Sequence, residues 1–195
     1  MEMSDSHTNT GPTFHGAGYA LMPGTTMAMD HDAAQASRRQ LTLFLPHDVS
    51  ATIEKIRSQY NPVQYRLIRA HVTLCREDEI EDLAQVLSNI RSLDERSVSI
   101  RFERPTRFED GRGVYLPSYD TEAFDRLRAR VLRDVIGAPR KHTPHITLMH
   151  PRNSTCDDVI FELICNEEFP RCITFPEISL IEQKNAETWD VLETY

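Results

Sequence analysis

The chain has 195 residues, 39% of them hydrophobic, enough for one well-buried core and one domain. A formal net charge of −8 argues against non-specific duplex DNA binding, which rests on neutralising phosphates, and no run approaches the roughly 18 apolar residues that span a bilayer. Cys75, Cys156, Cys165 and Cys172 form no CxxC pair and follow no secretory signal, so reduced cysteines in a cytoplasmic protein are expected.

Residues 1–38 stand apart. Their first 37 positions hold five of the six methionines and four of the seven glycines, with no apolar periodicity. They read as a disordered N-terminal leader, with Met27 or Met29 as an alternative start; acids at Glu2, Asp5, Asp30 and Asp32 argue against a targeting peptide. Residues 39–195 read as a single folded domain, expected to be monomeric.

Within it, Leu41–Leu45 is an apolar strand ending at Pro46, followed by a helix with Val49, Ile53 and Ile56 on one face, and then a strand that carries His71. Ile80, Leu83, Leu87 and Ile90 have helical spacing, with Glu77, Asp78 and Glu79 at the favourable N-terminal end. Val98, Ile100 and Phe102 alternate as a strand closing the first half. The order then repeats: Val114–Leu116 ends at Pro117, a helix buries Phe124, Leu127 and Val131, and a strand carries His145. A helix from about Thr155 presents Val159, Ile160, Leu163 and Ile164, and strands at Ile173–Phe175, Ile178–Ile181 and Thr188–Leu192 complete the chain. This is an α+β sandwich of two similar lobes, sheets inside and helices outside.

The repeat carries a motif. His71-Val72-Thr73-Leu74 recurs 74 residues later as His145-Ile146-Thr147-Leu148, where composition alone predicts about 0.1 copies of histidine-aliphatic-threonine-aliphatic. On a strand, alternation puts the histidine and threonine on one face and the aliphatics on the other. Two such strands side by side present two imidazoles and two hydroxyls to one cleft. That set suits hydrolysis of a five-membered cyclic phosphate. An imidazole with a pKa near 6.5 serves as base to water or as acid to the leaving ribose oxygen, and hydroxyls donate to the phosphoryl oxygens. A diester carries one negative charge, so no metal or other cofactor is required. Residues 66–76, with Arg66, Arg69 and Arg76, and residues 138–153, with Arg140, Lys141 and Arg152, are basic and free of acids, as an anion-binding cleft would be. Aligning Pro46 with Pro117 makes Phe44 and Tyr115 equivalent. Tyr115 is the better candidate for stacking on a base, Phe44 the better candidate for the core.

Two such motifs on repeated β-α-β lobes resemble the two-histidine (2H) phosphoesterase superfamily, in particular its branch of 2′–5′ RNA ligases and cyclic nucleotide phosphodiesterases. The resemblance covers roughly residues 39–195. It implies a bilobal fold whose antiparallel sheets line a central cleft, metal-independent chemistry on an RNA end or cyclic nucleotide, catalytic roles for His71 and His145, and phosphate held by Thr73 and Thr147. By the same analogy His145 is the base and His71 the acid for hydrolysis, with the roles exchanged in ligation. The ligase-like branch often carries a basic residue after each motif; Arg76 fits, whereas the second copy departs from the pattern with His150, Pro151 and Arg152. Two rival readings remain: a nucleotide- or RNA-end-binding module without turnover, and a zinc-dependent hydrolase using His142, His145 and His150, whose spacing lacks that of known zinc motifs.

Overall fold

Strand β1 (Ser37–Phe44) runs from an exposed start into the core, where Leu41, Thr42 and Leu43 are wholly buried. In the computed structural model, which describes residues 37–137 and 139–195, β1 starts two residues before the expected domain boundary, and the rest of the leader lies outside the described residues. β1 pairs antiparallel with β2 (His71–Cys75) on one side and with β8 (Ser179–Lys184) on the other, and β9 (Trp189–Thr194) completes a sheet of order β2-β1-β8-β9. A second antiparallel sheet has the order β4-β5-β6, from β4 (Thr106–Arg107), β5 (Val114–Pro117) and β6 (His145–Met149).

The helices cover the outer faces with the residues their 3.6-residue period selects. Helix α1 (His47–Tyr60) buries Ile53 and Ile56, and α4 (Glu122–Val131) buries Phe124, Leu127 and Val131. Each fully buried side chain of this size contributes about 1.5–3 kcal/mol of transfer free energy. Val72, Leu74, Ile146 and Leu148, the aliphatic halves of the two motifs, are all wholly buried in the shared core.

The structure departs from the sequence expectation in the strands that were to close each half. β3 (Val98–Arg101) and β7 (Cys172–Phe175) pair with each other, Val98 opposite Phe175 and Ile100 opposite Ile173, so the two halves share one two-stranded sheet. The first lobe's sheet is completed by β8 and β9 from the C-terminus, so the repeat in sequence is not two self-contained lobes in space. A short helix α2 (Pro62–Leu67), started by a proline whose missing N–H costs nothing there, lies where no element was expected. Glu77–Glu79 form a separate 3₁₀ turn, and α3 (Leu83–Arg91) begins after it, capped by Asp82 accepting from the Gln85 backbone N–H at 3.0 Å. Helix α5 (Asp158–Cys165) starts three residues later than expected, where Asp157 caps it. Its Val159 and Leu163 are exposed rather than packed.

Candidate active site

The two motif strands sit in the same local structure. Phe44 opposes His71 and Thr42 opposes Thr73 on β1 and β2; Pro117 opposes His145 and Tyr115 opposes Thr147 on β5 and β6. Each pair carries an irregularity at the corresponding place, between Leu41 and Thr42 and between Val114 and Tyr115, a bulge of the kind that re-aims side chains beside a site. Both motifs have the same burial sequence, with histidine and threonine half-buried on one face and the next aliphatic residues buried on the other. Gly113 makes room for the second bulge: a Cβ there would lie 2.5 Å from the Met149 carbonyl oxygen.

This register corrects the alignment made through the prolines. Tyr115 is equivalent to Thr42, and Phe44 to Pro117, because Pro46 lies beyond its strand whereas Pro117 is the last residue of its own. Both aromatics nevertheless flank a motif histidine. The Phe44 ring meets His71 edge-on at 6.2 Å with the Arg69 guanidinium 4.3 Å above it, and Tyr115 meets His145 at 5.4 Å while packing on Phe108 at 4.4 Å. Phe44 is half-buried, not core.

The histidines are held alike. The Arg69 carbonyl accepts from His71 Nδ1 at 2.8 Å, and the Thr143 carbonyl from His145 Nδ1 at 3.1 Å. A carbonyl can only accept, so each Nδ1 carries the hydrogen and each Nε2 of the neutral ring is a free base. Burial pushes His71 down to about 4, opposed by the Arg69 bond and reinforced by the charges of Arg57, His145 and His150. His145 is also lowered, by burial first, with the Thr143 bond opposing and Arg76 adding to it. Strands β2 and β6 pack against each other, which brings the two motifs close enough for His145 and His150 to act on His71 and for Arg76 to act on His145. His150 is lowered by burial and by the neighbouring Arg152 charge, and its Nδ1 accepts from the Arg152 backbone N–H at 3.1 Å. Arg140 contributes less than its basic window suggested, because it pairs with Asp78.

Sequence reasoning missed the groups that set these strands in place. Arg57 on α1 and Arg128 on α4 are both buried and follow the core residues Ile56 and Leu127. Arg57 pairs with Glu54 at 2.6 Å and donates to the Ile68 carbonyl at 2.6 Å, while Glu54 accepts from the Ala70 N–H at 2.6 Å, so the pair fixes the backbone leading into His71. Arg128 donates to the carbonyls of Leu74 (2.8 Å) and Arg140 (3.0 Å) and pairs with buried Glu79, which accepts from the Arg76 N–H. The end of one motif strand is thereby tied to the approach of the other. Asn61 makes the reverse tie, accepting from the His150 N–H at 2.8 Å and donating to the Asn153 side chain at 2.9 Å. The available signal was an arginine at a core position of each amphipathic helix.

The three histidines of the zinc reading have separate partners. His142 Nε2 donates to the Thr73 carbonyl at 3.2 Å, His145 Nδ1 to Thr143, and His150 Nδ1 accepts from Arg152. Among the described residues no group of three histidine, cysteine, aspartate or glutamate side chains is arranged to hold a metal ion.

The two half-buried histidine-threonine strands, β2 and β6, thus stand in two of the three antiparallel sheets that the described residues form in one α+β frame. The fold is that of Escherichia coli LigT: its apo crystal structure superposes with a TM-score of 0.56 at 17% identity, over 83% of this chain and 98% of that one, and its complex with phosphate gives 0.57 over the same shares. A crystal structure described as a phosphoesterase matches at 0.52 and 16% identity, over 82% and 98%. No match emerges among curated protein sequences. The model of the 2′-5′ RNA ligase superfamily matches residues 45–187, and the chain belongs to that family, within the 2H phosphoesterases.

Proposed function

We propose that the protein is a metal-independent phosphodiesterase that opens a 2′,3′-cyclic phosphate on an RNA end or cyclic nucleotide, working as a monomer in the cytoplasm. The observation that carries this reading is the matched pair of imidazoles, each with Nδ1–H committed to a backbone carbonyl and Nε2 left as a free base. One Nε2 takes a proton from water as the water oxygen bonds to phosphorus. The bond from phosphorus to one ribose oxygen breaks, and that oxygen takes a proton from the other imidazolium, leaving a phosphomonoester. Thr73 and Thr147 donate hydroxyls to the non-bridging oxygens, and Arg76 and Arg152 supply positive charge. A 5′-hydroxyl in place of water gives ligation by the same steps. LigT has been crystallised with phosphate, 3′-AMP, ATP and NADP+, ligands that share the phosphate and ribose chemistry this cleft suits. Four free cysteines, two of them exposed, fit a reducing compartment, and no helix among the described residues is long and apolar enough to cross a membrane.

The electrostatics favour an order of roles opposite to the one taken by analogy. His71 is the more strongly depressed, so it is the residue that is unprotonated at rest, and His145 more readily holds the proton the leaving oxygen needs. This assignment predicts the pH profile. Activity rises as His71 loses its proton near pH 4 and falls as His145 loses its own below 6.5, so kcat/KM peaks in mildly acidic solution. The test is turnover of the four 2′,3′-cyclic nucleoside monophosphates, in EDTA, by wild type and by the His71→Ala/His145→Ala double variant. Turnover that survives chelation and is lost in the variant supports the reading. An undiminished variant, or activity lost to EDTA and restored by zinc, overturns it.

A further inference from the structure

An open groove of about 510 Å³ lies beyond the motifs at the outer strand of the second sheet, lined by Arg101, Glu103, Arg104, Thr106, Tyr119 and Arg171 among others. Its volume is that of an ordinary small-ligand site. Two cross-strand pairings connect it to the second motif. Thr106 opposes Tyr115, and Tyr115 opposes Thr147. Directly opposed residues share a face, so one surface runs from the second motif through Tyr115 to the groove, over two strand spacings or about 10 Å. The backbone continues the link: Pro117 opposes His145, the Ser118 N–H donates to the Pro144 carbonyl at 3.1 Å, and the Tyr119 N–H donates to the Arg101 carbonyl at 2.7 Å.

The charged side chains of the lining leave a positive balance. Arg101 is balanced by Asp120 at 2.7 Å, and Glu103 contributes one further negative charge. Arg104 and Arg171 have no ion-pair partner among the described residues, so the groove keeps net positive charge. Tyr119 is 64% exposed, with the Arg101 guanidinium 4.9 Å from its ring, an open aromatic beside cations. Unpaired guanidinium groups and an exposed aromatic are what single-stranded nucleic acid uses, the one for phosphodiester oxygens and the other for a base.

We propose that this groove holds the nucleotide on the 5′ side of the reacting phosphate, so that the substrate is the end of an RNA strand and not a mononucleotide. The proposal rests on the cyclic phosphodiesterase reading of the cleft. It is tested with a 2′,3′-cyclic mononucleotide and with a tetraribonucleotide ending in the same cyclic phosphate, offered to wild type, Arg104→Gln/Arg171→Gln and Tyr119→Ala. Wild type is expected to prefer the tetranucleotide, and each variant to lose about 10-fold in kcat/KM on it while turning over the mononucleotide as before. The tetranucleotide preference should also shrink with added salt, less steeply in the double arginine variant. Equal loss on both substrates, no loss on either, or no preference in wild type overturns the subsite. If wild type turns over neither, the catalytic reading has failed, and anisotropy with a 3′-phosphorylated tetranucleotide and a 3′-mononucleotide decides the groove alone. Equal affinity for the two, or an acidic peptide binding as tightly as the RNA, then overturns it.

Discussion

The two motif strands share register, bulge position, burial and histidine tautomer, yet they are held in different ways. The buried arginine before the first motif, Arg57, pairs with Glu54 on its own helix and fixes the backbone at Gln64, Ile68 and Ala70. The one before the second, Arg128, reaches across to Leu74 and Glu79 beyond the other strand. Surroundings differ likewise: His71 feels the charges of Arg57, His145 and His150 on top of its burial, while the charge that reaches His145 is that of Arg76. A repeated motif thus ends with two imidazoles in unequal surroundings, an asymmetry that the proposed division into one acid and one base would use.

Breaking the chemistry one histidine at a time gives the largest expected effect. His71→Ala and His145→Ala should each lower cyclic phosphate hydrolysis by about 10²–10⁴ with circular dichroism unchanged, and Thr73→Val or Thr147→Val should lower it less. The comparison sharpens with a diester whose leaving group is 4-nitrophenolate, which departs without a proton. If His145 is the acid, its alanine variant recovers most of its rate on that substrate and His71→Ala does not. Recovery by the His71 variant alone would restore the order taken from the family analogy.

The two ties between the lobes should separate next. Arg128→Met removes the buried ion-pair partner of Glu79, which keeps the Arg76 N–H, and the side-chain donor to the buried Leu74 carbonyl, and removing one member of a buried pair costs about 3–5 kcal/mol. Asn61→Ala removes a neutral tie and should cost about 1–3 kcal/mol. Urea denaturation measures both. Equal costs would mean that the ionic tie is no more than a hydrogen-bonded one, and that the asymmetry of the lobes does not reach their stability.

The elements nearest the chemistry were the most legible. Alternation over His71–Leu74 and His145–Leu148 is a two-residue period that only a half-buried strand satisfies, and its repetition supplied the lobes. Equivalence across the repeat was not legible, because two prolines at similar distances from their histidines occupy different positions, one after its strand and one at its end. Nor was the pairing of β3 with β7, since alternation in a strand says which face is buried and nothing about the partner. The sequence extends helix α3 too far towards its N-terminus, because Glu77–Glu79 look like a favourable first turn. Arg128 instead draws Glu79 into the core and the turn stops there. Arg57 and Arg128 were written in the sequence as charges on apolar helix faces, but their partners lie up to 54 residues away and only the fold brings them together.

The smallest effect separates the two motifs through protons alone. In the folded protein burial holds His71 and His142 near 4 and lowers His145 and His150, whereas in the unfolded chain each titrates near 6.5. Between those values the unfolded state binds more protons, so stability rises with pH there and is lost as pH falls from 6.5 towards 4. Thermal melts at pH 7, 6, 5 and 4.5 should show a falling Tm. His71→Gln should flatten that fall more than His145→Gln, because the deeper depression carries the larger proton uptake on unfolding. Equal flattening by the two variants would show that the motifs are electrostatically alike, and the assignment of His71 as base would lose its support.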